Sequence, residues 1–198
     1  MNPLTGLGTL QGMDNERALW DAAEAGEGES FARIFDLHKD RVFRHALRLV
    51  DTTSDAEDTV ATAFMELWRR REKVRVVNGS VLPWLLVTTT HITRNLQRSS
   101  RRYRALLLRL PRSEASPDAS QDYLANSVDG LDPRLASELR SLGWADQQLL
   151  TLVALEGYTM AETAEALGIT LAAVKSRMHR LRRRFQPKQN NQTREASA

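Results

Sequence analysis

The chain has 198 residues, 41% of them hydrophobic, with a formal net charge of +3 and no cysteine. That length allows one domain or two small ones with real cores, and the missing thiols exclude disulfides and thiolate metal sites and fit a reducing compartment. No apolar run reaches the roughly 18 residues of a membrane span and no basic start precedes an apolar core at the N-terminus, so a cytoplasmic protein without membrane insertion is predicted.

Charge is unevenly distributed. From Asp14 to Glu66 there are thirteen Asp or Glu against six Lys or Arg, whereas Arg94 to Arg112 holds seven Arg and no acid. Such polarity predicts one surface for a basic protein partner and others for nucleic acid.

Residues 1–13 are rich in Gly, Thr and Leu without a period and read as disordered. A short helix is predicted from Asn15 to Ala25, ending near Gly26. Phe31, Ile34, Phe35, His38, Val42, Ala46 and Leu49 then mark one face of a long helix. His38 and His45 lack metal-ligand spacing and carboxylate company, so they read as core or boundary histidines. Ser54 and Glu57 predict a capping box at the start of a third helix, whose apolar face is Val60, Phe64, Leu67 and Trp68. Asp55, Glu57 and Asp58 crowd its first turn. They suit either the helix dipole or an acidic docking face, and composition leaves both open.

Val74 to Leu82 reads as a loop around Asn78 and Gly79, and Pro83 opens a fourth helix. Trp84, Leu85, Thr88 and Ile92 keep helical spacing, with Trp84 read as core. The polar end runs through Arg94, Asn95, Arg98, Arg101, Arg102 and Arg104. Aromatic and polar groups beside a cationic strip suit single-stranded nucleic acid, because bases stack and phosphates pair with arginine. The segment 111–133 changes character, with three prolines, five acids and one base, and reads as a flexible acidic linker.

Two more helices are predicted at Arg134 to Leu142 and Trp144 to Leu155. The stretch from Tyr158 to Phe185 then reads as a helix-turn-helix: a Thr159/Glu162 capping box, the Gly168 turn, and a second helix with Val174, Met178, Leu181 and Phe185 as its buried stripe. The opposite face carries Ala172, Lys175, Ser176, His179, Arg180 and Arg183. From Lys175 to Lys188 there are seven Lys or Arg and no acid. A helix with that face suits a DNA major groove, where Lys and Arg reach guanine edges and Ser a base or phosphate.

The expected fold is therefore all-α: a first helical domain at 14–110, the linker at 111–133, a helix-turn-helix domain at 134–186 and a disordered tail at 187–198. No Ser/His/Asp set, glycine-rich phosphate loop or metal spacing supports an enzyme, so neither catalysis nor a cofactor is predicted.

Three strings together resemble the sigma factors of bacterial RNA polymerase, in the short extracytoplasmic-function (ECF) group that keeps only domains two and four. They are DAEDTVATAFMELWRR at Asp55 to Arg70, LPWLLVTTTHITRNLQRSSRR at Leu82 to Arg102, and YTMAETAEALGITLAAVKSRMHRLRRRF at Tyr158 to Phe185. The resemblance implies that Asp55, Asp58, Glu66 and Trp68 dock on the clamp coiled coil of the polymerase's largest subunit. It implies that Asn78, Trp84, His91, Arg94, Asn95 and Arg98 take the minus-ten promoter element as single strand. Lys175, Ser176, His179 and Arg180 would read the minus-thirty-five element as duplex, and an anti-sigma protein would sequester the whole. The chain departs from the family pattern at Ala61, often Gln, at His91, aligned with an Asn, and at Ala172 and Ala173, commonly Gly-Thr. The alternative reading is a stand-alone helix-turn-helix regulator that uses the C-terminal domain alone.

Overall fold

The computed structural model describes the backbone of residues 5–107, 137–138 and 141–185, with side chains from residue 15 onward except 100, 101 and 103–107. The expected linker at 111–133, the tail at 187–198 and most of the helix expected at Arg134 to Leu142 lie outside the described residues. Helices α1 (Thr5–Glu24), α2 (Gly28–Leu47), α3 (Thr53–Arg69) and α4 (Leu82–Leu107) form an N-terminal bundle. The C-terminal half holds α5 (Trp144–Leu150), a π-turn (Thr151–Leu155), α6 (Met160–Leu167) and α7 (Leu171–Phe185). Helix α1 begins at Thr5, where the pattern predicts Asn15; its glycine-rich first half carries no apolar period for a sequence reading to find.

Trp20, Ile34, Val42, Phe64, Leu67, Leu82, Leu85 and Leu86 lie at the centre of the N-terminal core. Two local expectations are corrected. Thr52, not Ser54, caps α3: its extended backbone lets its Oγ1 accept from the Asp55 N–H at 3.0 Å, which places Ser54 inside the first turn. Helix α4 buries Leu82, Leu85, Leu86, Thr89, Thr90 and Thr93, whereas Trp84, Thr88 and Ile92 are only half-buried. The face is rotated because threonine packs its methyl inward while its hydroxyl bonds a helix carbonyl. Thr90 donates to Leu86 O at 3.0 Å and Thr93 to Thr90 O at 3.0 Å.

Both histidines of α2 are core residues, as read. Glu16 and His38, 7% and 2% exposed, meet at 2.8 Å, and Glu16 Oε1 also accepts the Val81 N–H at 3.0 Å. Burial alone would raise the Glu16 pKa. The hydrogen bond and charge of His38, with hydrogen bonds from Ser80 and Val81, outweigh it and hold the carboxyl below its usual range.

His45 is 1% exposed, and its Nε2 lies 2.9 Å from Thr90 Oγ1. Because the Thr90 hydrogen goes to Leu86, Nε2 is the donor in that contact. Burial first, and the Arg48 charge second, push its pKa down to about 3.

The helix expected from Trp144 to Leu155 changes to π geometry at Thr151, and Glu156 N bonds Thr151 O at 2.9 Å. The wider turn divides the segment between two cores. Leu149 joins the C-terminal cluster, whereas Leu152 joins the N-terminal one, where Tyr158, Ala166 and Leu167 also pack. The two halves are thus in contact.

Below pH 6.5 the unfolded chain gains a proton at His45 that the folded chain refuses, so stability falls as pH falls. Between pH 6.5 and 4.5 this group contributes about 1.4 kcal/mol per pH unit. Burial and Arg94 lower the His91 pKa as well, which acts in the same direction, while Glu16 acts only below 4.5. Urea unfolding across that window should show the slope, and His45→Gln, which keeps a donor toward Thr90, should remove the larger part of it.

Candidate nucleic-acid interface

The helix-turn-helix is built from local signals. Thr159 Oγ1 accepts the Glu162 N–H at 3.2 Å while the Glu162 carboxylate accepts the Thr159 N–H at 2.8 Å, which completes the predicted capping box. Gly168 ends α6 at φ 64°, ψ 33°, and Thr170 Oγ1 then accepts the Ala173 N–H at 3.2 Å to start α7. Val174, Met178 and Leu181 are buried with Leu142, Leu149 and Ala164, while Phe185 packs half-buried at the edge. That contact fixes the rotation of α7. Its outward face presents Ala172, Lys175, Ser176, His179, Arg180 and Arg183, all exposed. The four predicted duplex-reading residues lie together on it.

Sequence reading missed the neighbour of this face. Trp144, Asp146, Arg177, Arg180 and Arg184 line a cleft of about 430 Å³, and Arg184 donates to Ser141 Oγ at 3.1 Å. Trp144 is 41% exposed, and a large aromatic on the polar side of α5 was the available signal.

The second predicted set lies on and before α4. Asn78 (φ 51°) and Gly79 (φ 72°) are both left-handed, and Val77 and Ser80 exchange hydrogen bonds of 3.0 and 3.1 Å across them. This is the two-residue turn that Asn-Gly favours. It holds Asn78 exposed above a buried base of Val77, Ser80 and Val81. Trp84, His91, Arg94, Asn95 and Arg98 follow at steps of seven, three, one and three, so they share one side of α4 over roughly 21 Å. Their surroundings differ. Trp84 packs half-buried on the core, and Asn95 and Arg98 are exposed. The Arg94 guanidinium sits 5.0 Å from the Trp144 ring, and the His91 ring 5.4 Å from the same ring.

The third set lies on α3. Asp55 is exposed in its first turn and Asp58 in its second. Glu66 accepts from both Arg69 and Arg70 at 2.7 Å. The Trp68 ring packs 5.0 Å from Phe31 and lies under the Arg71 guanidinium at 4.6 Å. Beside these runs an apolar groove of about 670 Å³ between α2 and α3, lined by Phe31, Phe35, Ala61, Phe64, Met65 and Trp68 among others. Met65 is 72% exposed there, a second large exposed hydrophobic, after Trp144, absent from the sequence-based expectations. Ala61, exposed at the groove, adds only a methyl to its lining. No group of three or more metal-ligating side chains occurs among the described residues, and no helix there is long and apolar enough to cross a membrane.

The family described as Sigma-70 region 2 matches residues 34–122, and that described as Sigma-70, region 4 matches residues 134–185. Together they cover well over half of the sequence, in that order. The chain belongs to the sigma-70 family. Its relatives include ECF RNA polymerase sigma factor BldN of Streptomyces coelicolor, 28% identical over 167 residues, covering 82% of this chain and 61% of BldN. ECF RNA polymerase sigma factor SigK of Mycobacterium tuberculosis is 28% identical over 151 residues, covering 75% of this chain and 80% of SigK. The chain thus spans about three fifths of the one and four fifths of the other. The fold is shared with CnrH, solved with the cytosolic domain of CnrY, at TM-score 0.58 and 22% identity over 85% of this chain and 93% of CnrH. It is shared also with sigma factor RpoE of Bartonella quintana, solved with the anti-sigma factor NepR, at TM-score 0.51 and 22% identity over 79% of this chain and 94% of RpoE.

The turn between α6 and α7 gives a direct test of how this sigma fold aims its second helix. A Cβ on Gly168 meets nothing within 4 Å, so substitution there costs only backbone conformation. Gly168→Ala should lower thermal stability by about 1–2 kcal/mol and Gly168→Asn by less, because asparagine tolerates the left-handed region better.

Proposed function

We propose that the chain is a dissociable initiation subunit that binds core RNA polymerase, directs it to a two-part promoter and helps open the start site. The observation that carries this reading is the presence in one chain of both sigma regions, each with its charged side turned outward. The polymerase clamp takes the α3 surface around Asp55, Asp58, Glu66 and Trp68. The Asn78 loop and the α4 side take the minus-ten element as single strand, where stacking and arginine–phosphate pairing offset part of the cost of melting, roughly 1.4 kcal/mol per base-pair step. Lys175, Ser176, His179 and Arg180 on α7 take the minus-thirty-five element in the major groove. The polymerase performs the chemistry and this chain none, so the work is done in the cytoplasm without a cofactor of its own. Because RpoE of B. quintana was solved with an anti-sigma factor, we extend such control to this chain.

The test is co-elution of the purified chain with bacterial core RNA polymerase. The wild-type chain should co-elute stably and Asp58→Arg should be retained at least tenfold less. Arg98→Ala should co-elute normally and open promoters poorly. Failure to co-elute, together with tight duplex binding by the chain alone, would overturn the proposal in favour of a stand-alone regulator.

A further inference from the structure

Duplex reading by α7 does not account for the cleft beside it. Arg177, Arg180 and Arg184 recur at steps of three and four, so they form one stripe along α7. With Trp144 and Asp146 from the start of α5 and the buried Leu181, they line a space of about 430 Å³. Three guanidinium groups against one carboxylate leave that space with two positive charges in excess. Among the described residues no carboxylate pairs with any of the three. Arg184 donates to Ser141 Oγ at 3.1 Å, while Arg177 is half-buried without an ionic partner. A guanidinium drawn partly out of water in this way calls for an anion. The cleft also offers an aromatic surface. His91 and Arg94 lie 5.4 and 5.0 Å from the Trp144 ring and steady it, and the residue is still 41% exposed.

We infer that this cleft binds a guanine nucleotide with two or more phosphates, its base against Trp144 and its phosphates among Arg177, Arg180 and Arg184. Duplex DNA supplies phosphates alone, because its bases stay stacked inside the helix, and would leave the indole bare. A free nucleotide brings an anion and an unstacked ring together, which a cationic strip beside an aromatic side chain takes in one contact. Arginine matches phosphate oxygens in bidentate pairs, and the volume falls within the roughly 300–1,000 Å³ of small-ligand sites. Asp146 sets the choice of base. The Watson–Crick edge of guanine carries two adjacent donors, N1–H and the N2 amino group, which one carboxylate accepts together. Adenine places the lone pair of N1 beside its amino group, so the same carboxylate would meet an acceptor. A consequence follows for the promoter, and it rests on the reading of α7 given above. Arg180 serves both the cleft and the duplex-reading face, so bound nucleotide and duplex compete for it.

Calorimetric titration of the full chain with GTP should show one site. GTP should bind at least tenfold more tightly than ATP and at least tenfold more tightly than inorganic triphosphate. Asp146→Asn, whose amide can face either base, should erase the preference for GTP over ATP. Arg177→Gln should weaken GTP at least tenfold. Trp144→Leu should do the same while Trp144→Phe, which keeps a ring, binds within about threefold of the parent, with circular dichroism unchanged in every variant. Equal binding of inorganic triphosphate and GTP would mark an anion site without a seat for the base and overturn the proposal. Absence of GTP binding, or a GTP complex that none of these substitutions weakens, would overturn it as well. Fluorescence anisotropy of a fluorescein-labelled 30-base-pair duplex tests the competition. GTP at ten times its dissociation constant should weaken duplex binding at least threefold, and ATP at that concentration should weaken it less. An equal effect of the two would trace the loss to salt, and that result, or no effect of GTP, would overturn the competition. If no duplex binds, the reading of α7 falls, while the calorimetry still decides the nucleotide site.

Discussion

A carboxylate held out of water governs how the N-terminal half presents its surfaces. Glu16 on α1 accepts from His38 on α2 and from the backbone N–H of Val81, at the foot of the Asn78 turn. One side chain therefore ties two helices to the start of α4. The geometry has to be good, since a buried charge without partners costs several kcal/mol and removal of one partner from such a pair typically costs about 3–5 kcal/mol. Three hydrogen bonds converging on one carboxylate meet that requirement. The consequence lies some distance away. Ser80 and Val81 are pinned, so the two left-handed residues between Val77 and Ser80 have one way to turn, and Asn78 stands at a fixed height above the α4 side.

How far the sequence could be read depended on range. Thr159, Glu162, Gly168 and the basic side of α7 were legible because each acts within three or four residues of itself. The burial of His38 and His45 was legible because the α2 period places them on its apolar face. The cap of α3 was misread by two residues, since three adjacent hydroxyl residues can each cap a helix and only the backbone angles of Thr52 decide among them. The rotation of α4 was hidden because threonine counts as polar in a period while its methyl packs as an apolar group. The contact between the halves left no trace in any window. Gln148 and Val87 are 61 residues apart and Arg41 and Glu156 are 115 apart, and neither Gln nor Glu signals its partner.

The π-turn links the second core to the contact between the halves. A helix that kept 3.6 residues per turn would keep one apolar stripe, whereas the five residues Thr151–Leu155 widen the turn and let one segment serve two cores. Leu149 faces α7, Leu152 faces α4, and Glu156 emerges beside Arg41. Turns of this type recur where a helix must satisfy a functional contact rather than its own regularity. Here the departure falls just before the helix-turn-helix, where the C-terminal half meets the N-terminal core.

The same weighing of terms applies to the α3 surface. Exposed carboxylates such as Asp55 and Asp58 contribute about 0–1 kcal/mol each in a pair, and salt weakens them further. Full burial of a Met or Phe side chain is worth roughly 1.5–3 kcal/mol. On the proposed reading, the acids set approach and orientation, and reversing one adds repulsion to the lost pairing, whereas the larger part of the affinity comes from the groove lined by Phe31, Met65 and Trp68. Ala61 sharpens this division. A Gln there would place an amide over the floor of the groove and would need a hydrogen-bond partner once a protein covered it, while the alanine methyl needs none. On that reading a partner can press an apolar side chain between α2 and α3 beside Ala61 without leaving a polar group unpaired there.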